Sequence, residues 1–238
     1  MKTYIRRREK NQELVVLYSE WGMDENIFIP LCNDEFDLIL FYDYSSAEPL
    51  VLPEMKTYTR IVLIGWSLGV WAAGFLSEKM GIKPDVKIAV NGTPLPADKK
   101  YGISKKVIEG TLKNLTEKNV KKFYLRVFGD KKTFLNYQDR LPRRTIKSLE
   151  DELRWMYNKM LEEIKTDFKW NYAVISEDDR VYPAKAQQTF WKTQPETKTV
   201  ILPESHFPFN KWKNFPDFIS YILSYKEKEE EKGKKKRK

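Results

Sequence analysis

Residues 60–81 read RIVLIGWSLGVWAAGFLSEKMG. Four aliphatic residues, Ile61 to Ile64, give way to Gly65-Trp66-Ser67-Leu68-Gly69. An alanine-rich stretch then runs to Gly81, with Pro84 close behind. A continuous apolar run suits a strand buried on both faces, and glycine followed by proline closes a helix. The text is therefore strand, sharp turn, helix, with a serine in the turn. With glycine near 7% of residues, G-x-S-x-G arises by accident in roughly one chain in fifteen of this length, so its setting decides its meaning. Between a strand and a helix it matches a nucleophile elbow. The glycines are expected to let the backbone enter a strained turn without Cβ clashes, leaving Ser67 Oγ at the tip. The plainer alternative is a glycine-rich turn with an inert serine.

Strand text recurs on both sides: TYIRRRE (3–9), ELVVLYS (13–19), DLILFYDY (37–44), DVKIAVNGT (85–93), WNYAVIS (170–176) and KTVILP (198–203). Pro183 opens a helix that runs through Trp191, and PDFISYILSYKEK (216–228) reads as the last helix. Strands alternating with helices predict an α/β fold with a mostly parallel sheet and helices on both faces. Between the fifth and sixth strands, residues 104–129 and 145–165 are helical in pattern and carry no strand signal. The expected organisation is a core of residues 1–100 and 170–225, a helical lid insertion of residues 101–169, and a charged, disordered tail of residues 226–238. In such a sheet ligands bind beyond the carboxyl ends of the strands, where both Ser67 and the start of the insertion fall.

Composition narrows the class. A hydrophobic fraction of 41% and an aromatic fraction of 14% describe a packed core. No apolar run reaches the roughly 18 residues of a membrane span, and the first residues, MKTYIRRREKNQ, lack the apolar centre of a signal peptide. The single cysteine, Cys32, lies in apolar text as buried filler and suits a reducing compartment. These features read as a cytoplasmic globular protein. One histidine and one cysteine make no ligand cluster, so no metal or redox cofactor is expected. The net charge of +9 is uneven: residues 1–100 carry −2, 101–169 carry +7, 170–225 are neutral and 226–238 carry +4.

A nucleophilic serine needs a base, and His206 is the one imidazole in the chain. It follows the last strand in VILPESHFPFN, in the chain order serine, acid, histidine. The acid belongs on the loop after the preceding strand, where AVISEDDRVYPAK offers Glu177, Asp178 and Asp179. Asp179 is favoured because it stands just ahead of a helix that Pro183 starts, with Asp178 as the alternative. For an oxyanion hole the backbone N–H of Leu68 supplies one donor. Trp21, in the loop after ELVVLYS, supplies the other, with Gly22 allowing close approach. Asp24 in the same loop reads as a helix N-cap.

The segments YSEWGMD, GWSLG, VNGTPLP followed by YGI, DRVYPAKAQQTFW and HFPF, in this order, resemble the pimeloyl-acyl-carrier-protein methyl ester esterases of the BioG type. The resemblance covers nearly the whole chain except the tail. It implies an α/β-hydrolase fold and a serine carboxylesterase of biotin synthesis without a cofactor, with Ser67, Asp179 and His206 as triad and Trp21 and Leu68 as oxyanion donors. It also implies an acidic acyl carrier protein as partner, for which the lid charge offers Arg140, Arg143, Arg144, Lys147 and Arg154. The family pattern has glycine just before the Trp-Gly pair, where this chain has Glu20. If that position requires positive φ, the loop must rearrange. Other readings are a different serine acyl hydrolase, such as a thioesterase, or a non-catalytic binding protein. Nucleic acid is a poor candidate partner, since no nucleic-acid motif accompanies the charge.

Overall fold

The computed structural model describes residues 1–8, 11–46, 52, 54–162 and 167–225. The strands are β1 (Lys2–Arg6), β2 (Glu13–Tyr18), β3 (Asp37–Tyr42), β4 (Arg60–Trp66), β5 (Val86–Val90), β6 (Tyr172–Ser176) and β7 (Lys198–Leu202). They form one sheet in the order β1-β3-β2-β4-β5-β6-β7. β1 pairs antiparallel with β3, and every other pairing is parallel. This is the α/β-hydrolase arrangement expected from the sequence. The central strands β2 and β4 are buried almost end to end, which their unbroken aliphatic text requires.

Helix α1 (Leu68–Leu76) follows β4, and all nine of its residues are buried. α6 (Ala184–Trp191) joins β6 to β7, and α7 (Phe215–Leu223) follows β7. The alternation of strand and helix is incomplete. Short 3-10 turns, Glu25–Ile27 and Ile29–Leu31, take the place of a helix between β2 and β3, and Pro30 sits in the second. Asp24 caps the first of these turns, accepting from Asn26 N–H. Cys32 ends the second and is half-buried, and burial pushes its thiol up to about 11.

Between β5 and β6 lie α2 (Lys105–Lys113), α3 (Glu117–Phe128), α4 (Lys131–Asn136) and α5 (Ile146–Leu161). The helical text at 104–129 is two helices, because Thr116 caps α3 and restarts the chain. Apolar residues of these helices, among them Ile108, Phe123, Leu153 and Met156, belong to the same buried cluster as the sheet. The cluster is continuous, so the helices and the sheet share one core. Residues 226–238, expected as a charged tail, lie outside the described residues, and no described helix is long and apolar enough to cross a membrane.

The glycines around the elbow act through space rather than through φ. Gly65 and Gly69 keep negative φ, and it is Ser67 that adopts the left-handed value of 56°. A Cβ on Gly69 would collide with the carbonyl oxygens of Tyr18 and Ser19 at the end of β2. One on Gly65 would meet the Trp170 ring and the Val70 backbone, and one on Gly92 the Ser67 carbonyl. Close backbone approach is thus the reason for glycine at these positions.

Candidate active site

Ser67 sits where three strand ends converge. Its N–H donates to Val90 O at the end of β5 (2.8 Å), and its carbonyl accepts from Val70 N–H in the first turn of α1. The resulting φ of 56° and ψ of −119° are strained for a residue with a Cβ. Ser67 Oγ is buried and makes no hydrogen bond among the described residues. Leu68 begins α1, where a backbone N–H has no intrahelical acceptor.

His206 follows β7 and is fully buried. Its carbonyl accepts from Trp66 Nε1 (2.8 Å) and Asn91 Nδ2 (2.9 Å), so the residue before the serine helps anchor it. Asn91, itself at φ 49°, also pairs both ways with Ser176 and stitches the ends of β5 and β6 to the histidine loop. The imidazole Nδ1 is 2.8 Å from Asp179 Oδ2. Asp179 is fixed in turn: Oδ1 accepts from the N–H groups of Val181 and Tyr182, and Oδ2 from Gln187 Nε2. Asp178, the alternative acid, is exposed.

The other imidazole nitrogen meets Glu20. His206 Nε2 is 2.9 Å from Glu20 Oε2, and Glu20 Oε1 accepts from Trp21 N–H at 2.8 Å. Glu20 does not adopt positive φ, so its replacement of the family glycine leaves the backbone undistorted. The consequence lies in the side chain, which occupies the donor expected to serve an oxyanion. Burial pushes the Glu20 carboxyl up, against the opposing pull of His206. For His206 burial acts downward, but the charge and hydrogen bond of Asp179, with the contacts from Glu20, outweigh it and raise the pKa from 6.5 to about 9.

The loop after Glu20 is gripped by the helices above it. Trp21 Nε1 donates to Leu149 O (2.9 Å), Gly22 N–H to Glu152 Oε2 (3.0 Å), and Tyr124 OH to Gly22 O (3.0 Å). Glu152, wholly buried on α5, also accepts from Tyr44 N–H and pairs with Arg144 at 3.2 Å. Arg144 pairs further with Asp43 (3.0 Å) and donates to Met23 O. Its side chain is 4% exposed. Arg144 therefore does not belong with the surface cations grouped with it in the sequence; it is an internal clamp between helix and loop. Arg140, Arg143, Lys147 and Arg154 are all exposed, and Lys147 and Arg154 also pair with Asp151 and Glu150 one helical turn away.

Beside Glu20, Trp21 and Leu68 opens a pocket walled by Val107, Phe123 and Leu153. Arg126 and Arg180, both exposed residues, mark its solvent edge. A second hollow, between α2 and α3, shares Trp21, Val107, Thr111, Phe123 and Arg126 with the first. The described residues contain no group of three or more His, Cys, Asp or Glu placed to hold a metal ion.

A family model described as pimeloyl-ACP methyl esterase BioG matches residues 1–216. The chain belongs to the BioG family. The crystal structure of BioG from Haemophilus influenzae aligns with a TM-score of 0.81 at 28% identity, covering 91% of this chain and 98% of that one. A malonyl-[acyl-carrier protein] O-methyltransferase of Bacteroides fragilis is 35% identical over 181 residues, 76% of this chain. The chain spans 37% of that relative's length. An esterase from Exiguobacterium antarcticum, at 15% identity and a TM-score of 0.63, covers 93% of this chain and 96% of its own and shares the fold.

Of the residues expected from the sequence, the structure joins His206 to Asp179 and leaves Ser67 Oγ without a hydrogen bond among the described residues; the supports around them were not foreseen. Asn91, Ser176, Gln187 and Glu152 have no motif of their own; for Glu152 a carboxylate among the apolar positions of an amphipathic helix was the available signal.

The raised His206 pKa has a consequence for stability. The folded protein holds a proton that the unfolded chain releases near pH 6.5, so the stabilisation is complete below 6.5 and is lost as pH rises through about 9. The urea midpoint is expected to fall across that window, and His206→Asn to flatten the slope. Equal slopes in the two proteins would contradict the doubly held imidazole.

Proposed function

We propose that this chain is a serine carboxylesterase that hydrolyses the methyl ester of pimeloyl-acyl-carrier protein to the free acid and methanol, in biotin synthesis. The observation that carries the serine mechanism is the set formed by a strained, buried Ser67, an imidazole on the neighbouring loop, and Asp179 against its Nδ1. Family membership supports the substrate.

In this reading His206 Nε2 takes the Ser67 proton as Oγ attacks the ester carbonyl. The N–H groups of Leu68 and Trp21 hold the developing oxyanion, a contribution typically worth about 10²–10³ in rate per donor. His206 returns the proton to the leaving methoxide, releasing methanol. Water then repeats the sequence on the acyl-enzyme and leaves the carboxylate still attached to its carrier. Asp179 fixes the imidazole tautomer and stabilises its cation, and no metal or cofactor enters the scheme.

The apolar walls of the pocket beside Leu68, namely Val107, Phe123 and Leu153, suit a methylene chain, with the reacting ester at Ser67 and the carrier outside. Residues 101–169, with net charge +7, act as the lid and as the face that meets an acidic carrier. Arg140, Arg143, Lys147 and Arg154 are its exposed candidates, and Arg144 is withdrawn from that set by its burial.

Mass spectrometry of carrier-bound pimeloyl methyl ester after incubation with the protein tests the reaction. Loss of methyl with the thioester intact, absent with Ser67→Ala, is the expected result; release of free carrier would make the protein a thioesterase instead. The double variant Arg140→Glu/Arg143→Glu is expected to raise KM for the carrier-bound ester roughly tenfold, as reversed rim charges weaken association, with a small free ester unaffected. Equal losses on both substrates would remove these arginines from the docking face.

A further inference from the structure

The esterase reading leaves one buried acid without a task. Glu20 is 2% exposed, and its two oxygens are spent on the two groups that the reaction needs free. Oε1 takes the Trp21 N–H, and Oε2 takes His206 Nε2, the nitrogen that has to face the serine. Ser67 Oγ is left buried and unpartnered. One carboxylate thus stands where the ester's carbonyl oxygen and the serine proton would be received.

We propose that Glu20 is an internal plug that holds the hydrolase in a resting state, and that an ester reacts only after displacing it. The proposal rests on the serine mechanism above. Its two bonds are charge-assisted, which is why the plug holds without a covalent link. Together with Asp179, whose effect is the larger, it also favours the protonated imidazole, and an imidazolium accepts no proton, so the bond to His206 Nε2 and the bond to Trp21 N–H oppose both halves of the machinery at once. Glu20 lines the pocket proposed for the substrate chain together with Arg126 and Arg180, so the same pocket offers a displaced carboxylate two cations among its apolar walls. The other groups that act on it are Asp179 beyond the imidazole and the buried phenols of Tyr44 and Tyr182. Glu152 grips the adjacent Gly22. The active fraction of the enzyme is then set by how often Glu20 is away, and the apparent rate constant for any ester falls by that fraction.

Two variants test this. Glu20→Gly removes the plug, and Glu20→Gln keeps its shape but loses the charge. Phosphonylation of Ser67 by a small fluorophosphonate, followed by intact mass, is expected to speed up about ten- to a hundredfold in Glu20→Gly and by a smaller factor in Glu20→Gln. The sole histidine gives one unambiguous set of ring resonances by NMR. Its pKa is expected to drop by one unit or more in both variants, and the kcat/KM profile for a small ester to reach its plateau at correspondingly lower pH. Unchanged or slower labelling in both variants would make Glu20 a supporting residue and overturn the plug. So would an unmoved His206 pKa in Glu20→Gln. If wild type and Ser67→Ala are labelled alike, it is the serine mechanism that fails; the histidine titration then still reports the Glu20 contact on its own.

Discussion

The molecule depends on one tight approach: the backbone at Ser67 is wedged between the ends of β2 and β5. Gly69 lies against the Tyr18 and Ser19 carbonyls, Gly92 passes the Ser67 carbonyl, and Ser67 N–H is tied to Val90 O. Overpacking of such a contact costs about 1–3 kcal/mol for each intruding methyl group. The left-handed conformation of Ser67 is therefore held by its surroundings rather than by its own preference. From that fixed point Trp66 and Asn91 reach the His206 carbonyl, and the histidine loop acquires its position.

The second organising element is the loop from Glu20 to Asp24, which serves the sheet and the helices together. Its side chain at Glu20 meets the imidazole, and its backbone at Trp21 and Gly22 meets Glu20 and Glu152. Helices α3 and α5 hold it through Tyr124, Leu149 and Glu152, and Arg144 adds Met23. A buried carboxylate such as Glu152 is tolerable because two backbone N–H groups and a guanidinium satisfy it; removal of one partner of such a pair costs about 3–5 kcal/mol. The helices are thereby tied to the loop that bears the Trp21 N–H and the Glu20 carboxylate bonded to it.

Much of this was legible in the sequence. Apolar runs marked the central strands β2 and β4 because parallel strands are covered on both faces, whereas β1, the antiparallel edge strand, shows mixed polar and apolar text rather than a continuous apolar run. The elbow was legible because a strand, a serine between glycines and a helix occur together in few other settings. Asp179 was separable from Asp178 by its distance from Pro183, and the structure shows why: one oxygen caps the turn before α6, leaving the other for the imidazole. What stayed hidden were tertiary facts. Charge counting does not distinguish Arg144, folded inward onto Asp43 and Glu152, from Arg143 beside it in the open. The absence of a helix between β2 and β3 reflects a proline-bearing segment that packs as short turns. Glu20 was visible as a departure from glycine, but the effect expected was on φ, and the actual effect is a side chain bonded to two partners.

The most direct measurement is a crystal structure of the phosphonate adduct of the wild-type enzyme. The account predicts phosphorus bonded to Ser67 Oγ, its oxygen on the N–H groups of Leu68 and Trp21, and the Glu20 carboxylate withdrawn from His206 toward Arg126 or Arg180. An adduct on another residue, or one on Ser67 with Glu20 still holding Trp21 N–H and His206 Nε2, would contradict it.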